Sequence, residues 1–184
     1  MLNTFVVYVE DKPGVLARVA SLFRRRAFNI DSLTVGRTEK AGVSRMTIVV
    51  DTDETGARRL EAHLYKLINV LLVENVTAEA AVYRELAMIR VTASASQRSH
   101  IMDLVDVFRA KVVDVSPESM MIEITGTEDK IEGLLQVLQG YGVLEMVRTG
   151  RVAMRRGGKA ANGASAGADA ADATPASGTI SYSV

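Results

Sequence analysis

Hydrophobic and polar positions along this chain switch between two periods, and the switches come in the same order twice. Residues 4–10 are apolar and β-rich and end at the turn signal Asp11-Lys12-Pro13-Gly14. Val15, Val19, Leu22 and Phe23 then recur at helical spacing, with Arg18 and Arg25 on the other face. Residues 30–37 and 44–51 read as two strands joined by a polar, glycine-containing stretch. Ala57, Leu60, Leu64, Leu67 and Ile68 predict a second amphipathic helix, and 70–76 a fourth strand. The order is βαββαβ. After Thr77 it returns, with a strand at 85–93 and a helix marked by Ile101, Leu104, Val105 and Phe108. Strands at 111–115 and 120–125 flank Ser116-Pro117, Ile131, Leu134, Leu135 and Leu138 line a helix, and 143–148 is the last strand.

Two such units predict an α+β fold with two ferredoxin-like domains in tandem, 1–77 and 78–156. Each is expected to be an antiparallel sheet with helices on one face. Sheets of this kind keep edge strands and an open face, so pairing of two copies is expected. From Gly157 the composition turns to Ala, Gly, Ser, Thr and Asp. Such a segment has too little apolar surface to offset its ordering entropy, so residues 157–184 are expected to be disordered.

Composition then excludes several kinds of chemistry. The 22 Lys and Arg balance 22 Asp and Glu, which leaves no electrostatic footprint for nucleic acid. The central strands of the first unit carry Val6, Tyr8, Met46, Ile48 and Val50, so only Tyr8 could stack on a base. With no cysteine, disulfides, thiolate metal sites and cysteine nucleophiles are ruled out. His63 and His100 lie on helical stretches with no neighbouring ligand set, so no metal site is expected. No apolar run approaches the ~18 residues of a membrane span, and the N-terminus lacks a basic signal region. A cytoplasmic protein is expected. No nucleophile–base constellation, Gly-x-Gly-x-x-Gly or Walker loop is present, so the chain is not expected to catalyse a reaction itself.

The candidate chemistry sits at the strand-to-helix turn Asp11-Lys12-Pro13-Gly14-Val15-Leu16 and at Asn29-Ile30. Gly14 lets the backbone approach a ligand with no Cβ in the way. The amides of Val15 and Leu16 belong to the first helical turn, unpaired and at the positive end of the dipole, where a carboxylate fits. Asn29, the carbonyl of Ile30 and the carboxylate of Asp11 can each accept from an ammonium group. Both sets are expected at one end of the first unit, which therefore reads as a sensor of a small zwitterion. The alternatives are a strand-to-helix turn capped by Asp11 and an Asn29 that merely ends the helix in the left-handed region. The corresponding corner of the second unit, Ala93-Ser94-Ala95-Ser96-Gln97, has no Pro or Gly. Ser94 or Ser96 is expected to cap the helix there, leaving that unit to contact a partner rather than an amino acid.

The strings Asp11-Lys12-Pro13-Gly14-Val15-Leu16-Ala17-Arg18-Val19 and Asn29-Ile30-Asp31-Ser32-Leu33-Thr34-Val35-Gly36 resemble the regulatory (small) subunits of acetohydroxyacid synthase, also called acetolactate synthase. Lys66-Leu67-Ile68-Asn69-Val70, Gly126-Thr127-Glu128-Asp129-Lys130-Ile131-Glu132 and Arg148-Thr149-Gly150-Arg151-Val152 extend the likeness over about residues 1–156. The resemblance implies an N-terminal ACT domain that binds valine or another branched-chain amino acid at a homodimer interface, and a second, ACT-like domain. It implies a large catalytic partner that carries thiamine diphosphate, Mg²⁺ and FAD, none of them on this chain. It also implies activation of that partner and feedback inhibition by valine in valine, leucine and isoleucine biosynthesis. The family's ligand contacts fall on Asp11, Gly14, Val15 and Leu16 of one chain and Asn29 and Ile30 of its neighbour. Some members have Asn at the position of Asp11, so pairing and capping both stay open for that residue. A stand-alone amino-acid sensor acting on transcription would share this site, but every predicted helix already belongs to one of the two sandwiches.

Overall fold

A computed structural model describes residues 1–157. The first unit runs β1 (Leu2–Glu10), α1 (Val15–Arg25), β2 (Ile30–Arg37), β3 (Val43–Asp51), α2 (Glu54–Leu64) and β4 (Val70–Asn75). Its antiparallel sheet has the order β2-β3-β1-β4. Alternation in the strands sends Phe5, Val7 and Val9 of β1 and Met46, Ile48 and Val50 of β3 to one face. There they meet Val15, Val19, Leu22 and Phe23 of α1 and Ala57, Leu60 and Leu64 of α2. The helices start for different reasons. Asp53 caps α2 by accepting from the Gly56 amide at 2.7 Å, whereas α1 starts at Gly14 with no side-chain cap.

The second unit runs β5 (Ala81–Thr92), α3 (Arg98–Val107), β6 (Lys111–Val115), β7 (Ser119–Gly126), α4 (Glu128–Leu138), a 3₁₀ turn (Gln139–Tyr141), β8 (Val143–Arg148) and β9 (Val152–Arg155). Its sheet has the order β6-β7-β5-β8, and Ile89, Ile122 and Ile124 pack against Ile101, Ile131 and Leu134. The fold class is as expected: two antiparallel sheets of βαββαβ type, each with two helices. The second helix is shorter than its apolar spacing suggests, because Leu67 and Ile68 lie in the turn before β4.

Two features exceed the expected pattern. β5 starts at Ala81 rather than Glu85, and β9 follows the strand read as the last one. The early part of β5 pairs with β9 from Ala81↔Arg155 to Arg84↔Val152, making a two-stranded ribbon. This ribbon covers part of the face of the first sheet that was expected to stay open. Val6, Val76 and Ala153 are buried together, with Tyr8 and Tyr83 packed against them. Arg45 lies over the Tyr8 ring, 5.7 Å from its centroid, and donates to the Ala153 carbonyl. The Arg151 amide donates to Ser32 Oγ at 2.8 Å. Gly150 permits that approach: a Cβ there would lie 2.5 Å from Thr34 Oγ1 and 2.8 Å from the Leu33 carbonyl. Residues 158–184, nearly all of the segment for which disorder was expected, lie outside the described residues.

Ile122 has no exposed surface in the second core. Ile122→Ala is expected to lower stability by about 2–5 kcal/mol through lost burial and a cavity. Asp53→Ala, which removes only a cap, is expected to cost about 1 kcal/mol. Urea denaturation at fixed protein concentration separates the two.

Candidate functional site

The chain leaves β1 through a turn fixed by backbone hydrogen bonds. The Asp11 amide donates to the Gly42 carbonyl at 2.8 Å and the Lys12 amide to the Glu10 carbonyl at 2.9 Å. Gly14 then sets the helix start with φ +81°, a left-handed conformation that costs an L-residue about 1–2 kcal/mol. No atom of the described residues lies within 4 Å of where its Cβ would be, so glycine is required there by backbone shape rather than by crowding. The first turn of α1 contains no acidic residue.

The free amides are not quite the expected pair. Val15 donates to the Lys12 carbonyl over a long 3.3 Å, closing the turn. The amides of Leu16 and Ala17 are the ones with no hydrogen-bond partner among the described residues, because their acceptors would precede the helix. Asp11 does not cap α1; its Oδ2 lies 3.8 Å from Nε of Arg37, at the far end of β2.

Asn69 holds this corner in place, and sequence reasoning missed it. It is nearly buried between α2 and β4. Its carbonyl accepts from the Glu10 amide at 2.9 Å, its side-chain amide donates to Glu10 Oε2 at 2.5 Å, and its Oδ1 accepts from Arg18. Three elements are thereby tied at the mouth of the turn. The hydrogen bond from Asn69, and then Lys12 Nζ at 3.1 Å, hold the Glu10 carboxyl below its ordinary pKa. The signals in the sequence were a polar residue between apolar Ile68 and Val70 and its place in a string shared with the resembling family, neither of which states its role.

The second half of the candidate site does not join the first within one chain. Helix α1 ends at Arg25, and the left-handed residue after it is Ala27, φ +56°, not Asn29. Asn29 is exposed and its side chain makes no hydrogen bond among the described residues. Ile30 starts β2 opposite Val50, and Val50 faces Asn3 at the beginning of β1. Glu10, by contrast, faces Val43 at the other end of the sheet. Asn29 and Gly14 therefore stand at opposite ends of the unit, not at one end as expected. β1 and β2 run parallel on either side of β3, and α1 carries the chain back between them. Seven residue steps of β2 separate the ends by about 23 Å. At the sheet margin β2 has one neighbour, β3, so its outer edge is free among the described residues.

In the second unit helix α3 also starts without a side-chain cap, and the loop before it is held by its own side chains. Gln97, rather than a serine, is the N-cap residue of α3, and its Oε1 accepts from the Ser94 amide and hydroxyl at 3.2 and 2.8 Å. Among the described residues, no three His, Cys, Asp or Glu side chains gather as metal ligands. No described helix is long and apolar enough to cross a membrane.

A family model for the AHAS small subunit-like ACT domain matches residues 5–72, and one for the small subunit of acetolactate synthase matches 84–157. The probable acetolactate synthase small subunit of Archaeoglobus fulgidus is 52% identical over 159 residues, covering 86% of this chain and 99% of that protein. The acetolactate synthase small subunit of Mycolicibacterium smegmatis is 52% identical over 155 residues, 84% of this chain and 91% of that one. The chain belongs to the small subunits of acetolactate synthase. The crystal structure of the acetolactate synthase small subunit from Thermotoga maritima superposes with a TM-score of 0.80 at 41% identity, over 85% of this chain and 98% of that one. Small subunits of acetolactate synthase are regulatory, non-catalytic chains of a thiamine diphosphate enzyme of branched-chain amino acid biosynthesis.

Because Asn69 lowers the Glu10 pKa, the tie contributes stability above the ordinary carboxylate range and loses it as pH falls through the lowered value. Asn69→Ala is expected to move the Glu10 titration, followed by carboxyl-carbon NMR, up toward that range. It should also make thermal stability less dependent on pH between about 3 and 5.

Proposed function

We propose that this chain binds valine at a seam between two copies of its first unit, and through that seam controls the catalytic large subunit. The separation of Gly14 and Asn29 to opposite ends of one protomer carries this reading. A second copy, pairing its β2 edge antiparallel about a two-fold axis between Leu33 and Thr34, sets each Ile30 opposite an Arg37. Each Gly14 corner then gains Asn29 and Ile30 from the neighbouring chain, and the dimer holds two equivalent sites.

The valine carboxylate takes the Leu16 and Ala17 amides, with Val15 released from its long bond to Lys12. The ammonium group meets the Asn29 side-chain oxygen and the Ile30 carbonyl of the neighbour. Asp11, already drawn toward Arg37, adds a second acceptor for the same cation. Backbone contacts of this kind hold any α-amino acid; the branched side chain is selected by the apolar surroundings of the seam.

Feedback follows from where the ligand sits. A molecule bridging two chains favours the seam arrangement that closes on it, and a coupling of about 1–3 kcal/mol between arrangements is enough for strong inhibition. Without valine the same subunit raises the activity of its partner in the cytoplasm. Thiamine diphosphate, Mg²⁺ and FAD are carried by the large subunit.

Calorimetry tests the shared site directly. Gly14→Asp, which puts a Cβ and a negative charge in front of the free amides, and Asn29→Ala should each abolish valine binding. Mixing the two variants as subunit-exchanged dimers should restore about a quarter of the sites, because each mixed dimer regains one intact corner. No restoration would mean that the two residues do not meet across a two-fold seam.

A further inference from the structure

The turn between α2 and β4 presents surface that neither the fold nor the proposed effector site uses. Ile68, at its tip, is 91% exposed, where tight turns ordinarily carry Gly, Asn, Asp or Ser. Tyr65, beside it, is half exposed although its hydroxyl is tied to β4, donating to the Val73 carbonyl at 2.9 Å. Next to this turn a groove of about 410 Å³ runs between α1 and α2, lined by Leu22, Arg25, Arg26, His63, Lys66 and Leu67. Among the described residues no acidic side chain lines it. Arg25, Arg26 and Lys66 make no ion pair among the described residues, unlike Arg148, Arg151 and Arg155, which all pair with glutamates. Burial, and then the charges of Arg26 and Lys66, lower the pKa of His63.

We propose that this groove and the Ile68 turn form a docking surface for an acidic, partly apolar segment of the catalytic large subunit. The proposal rests on the functional reading above and names a surface for it. An uncompensated row of cations over an apolar floor of Leu22 and Leu67 matches carboxylates carried beside an apolar side chain, and Ile68 extends the floor outward. A nucleic acid fits less well: the cations are confined to one short groove, and among the described residues no Phe, Tyr or Trp lines it. The surface is also continuous with the effector corner. Ile68 is joined by a single peptide to Asn69, which holds Glu10 and Arg18 at the mouth of the Gly14 turn. A segment seated on Ile68 thus presses on the residue that positions the effector site.

The test is a binding titration of the full-length chain with the purified large subunit, with valine calorimetry alongside. Ile68→Asp and Lys66→Glu are each expected to raise the dissociation constant for the large subunit at least tenfold, and the wild-type value should rise with ionic strength. Both positions are exposed, so valine affinity should stay within about twofold of wild type. Wild-type affinity for the large subunit in both variants would overturn the surface while leaving the regulatory reading intact. A wild-type chain that failed to bind the large subunit would overturn the regulatory reading itself, and this surface with it. Binding of a single-stranded oligonucleotide that Lys66→Glu abolished, with large-subunit binding unchanged, would assign the groove to a different partner.

Discussion

Strand direction decides where the two halves of the candidate site lie. In the first unit β1 and β2 run parallel with β3 between them, so the turn that leaves β1 and the turn that enters β2 lie at opposite ends of the sheet. Helix α1 carries the chain back along the sheet between them, so both strands start at the same end. Gly14, followed by amides with no partner among the described residues, marks one end, and Asn29, whose side chain is likewise unengaged among them, marks the other. A small molecule that uses both must bridge two chains. The proposed dependence on a second copy rests on this topology rather than on any special residue.

The corner that would receive the ligand combines looseness with restraint. Among the described residues nothing crowds Gly14, and the helix behind it has neither a capping side chain nor an acid in its first turn. A free helix start of this kind is a standing attraction for an anion. Around it the backbone is held hard. Asn69 binds Glu10 through both backbone and side chain and reaches Arg18, so the strand end, the helix and the turn before β4 move together. The corresponding corner of the second unit has no left-handed glycine: Gln97 starts α3 in a right-handed conformation and folds back on Ser94.

The two sheets are joined by more than a linker. The ribbon of β5 and β9 lies on the first sheet, and Gly150 brings the chain so close to β2 that any side chain there would strike Leu33 and Thr34. Arg151 donates its amide to Ser32, while its side chain pairs with Glu85 and Glu128 of the second unit. β2, the strand with the free edge, is therefore bonded on one face to a residue whose charge is anchored elsewhere. A change in how β2 packs against a neighbour has a direct mechanical route to the second unit.

Local pattern by itself determined much of this protein. Period-two and period-3.6 spacing placed eight of the nine strands and all four helices in order, and the Pro-Gly turn with the later Asn-Ile pair marked the candidate site. These signals are local: each depends on residues a few positions apart, and the physics that reads them, burial of one face and backbone freedom at glycine, is local too. Tertiary structure alone decided the rest. The ribbon pairs Ala81 with Arg155, 74 positions apart, from two short segments with no strong alternation of their own. The clamp at Asn69 exists because the turn after α2 returns to the end of β1. The left-handed residue fell on Ala27 rather than Asn29 because helix and strand had to meet at fixed positions. Above all, Gly14 and Asn29 lie 15 positions apart in the chain yet at opposite ends of the unit, since what separates them in space is the direction of strands, which spacing along a sequence does not encode.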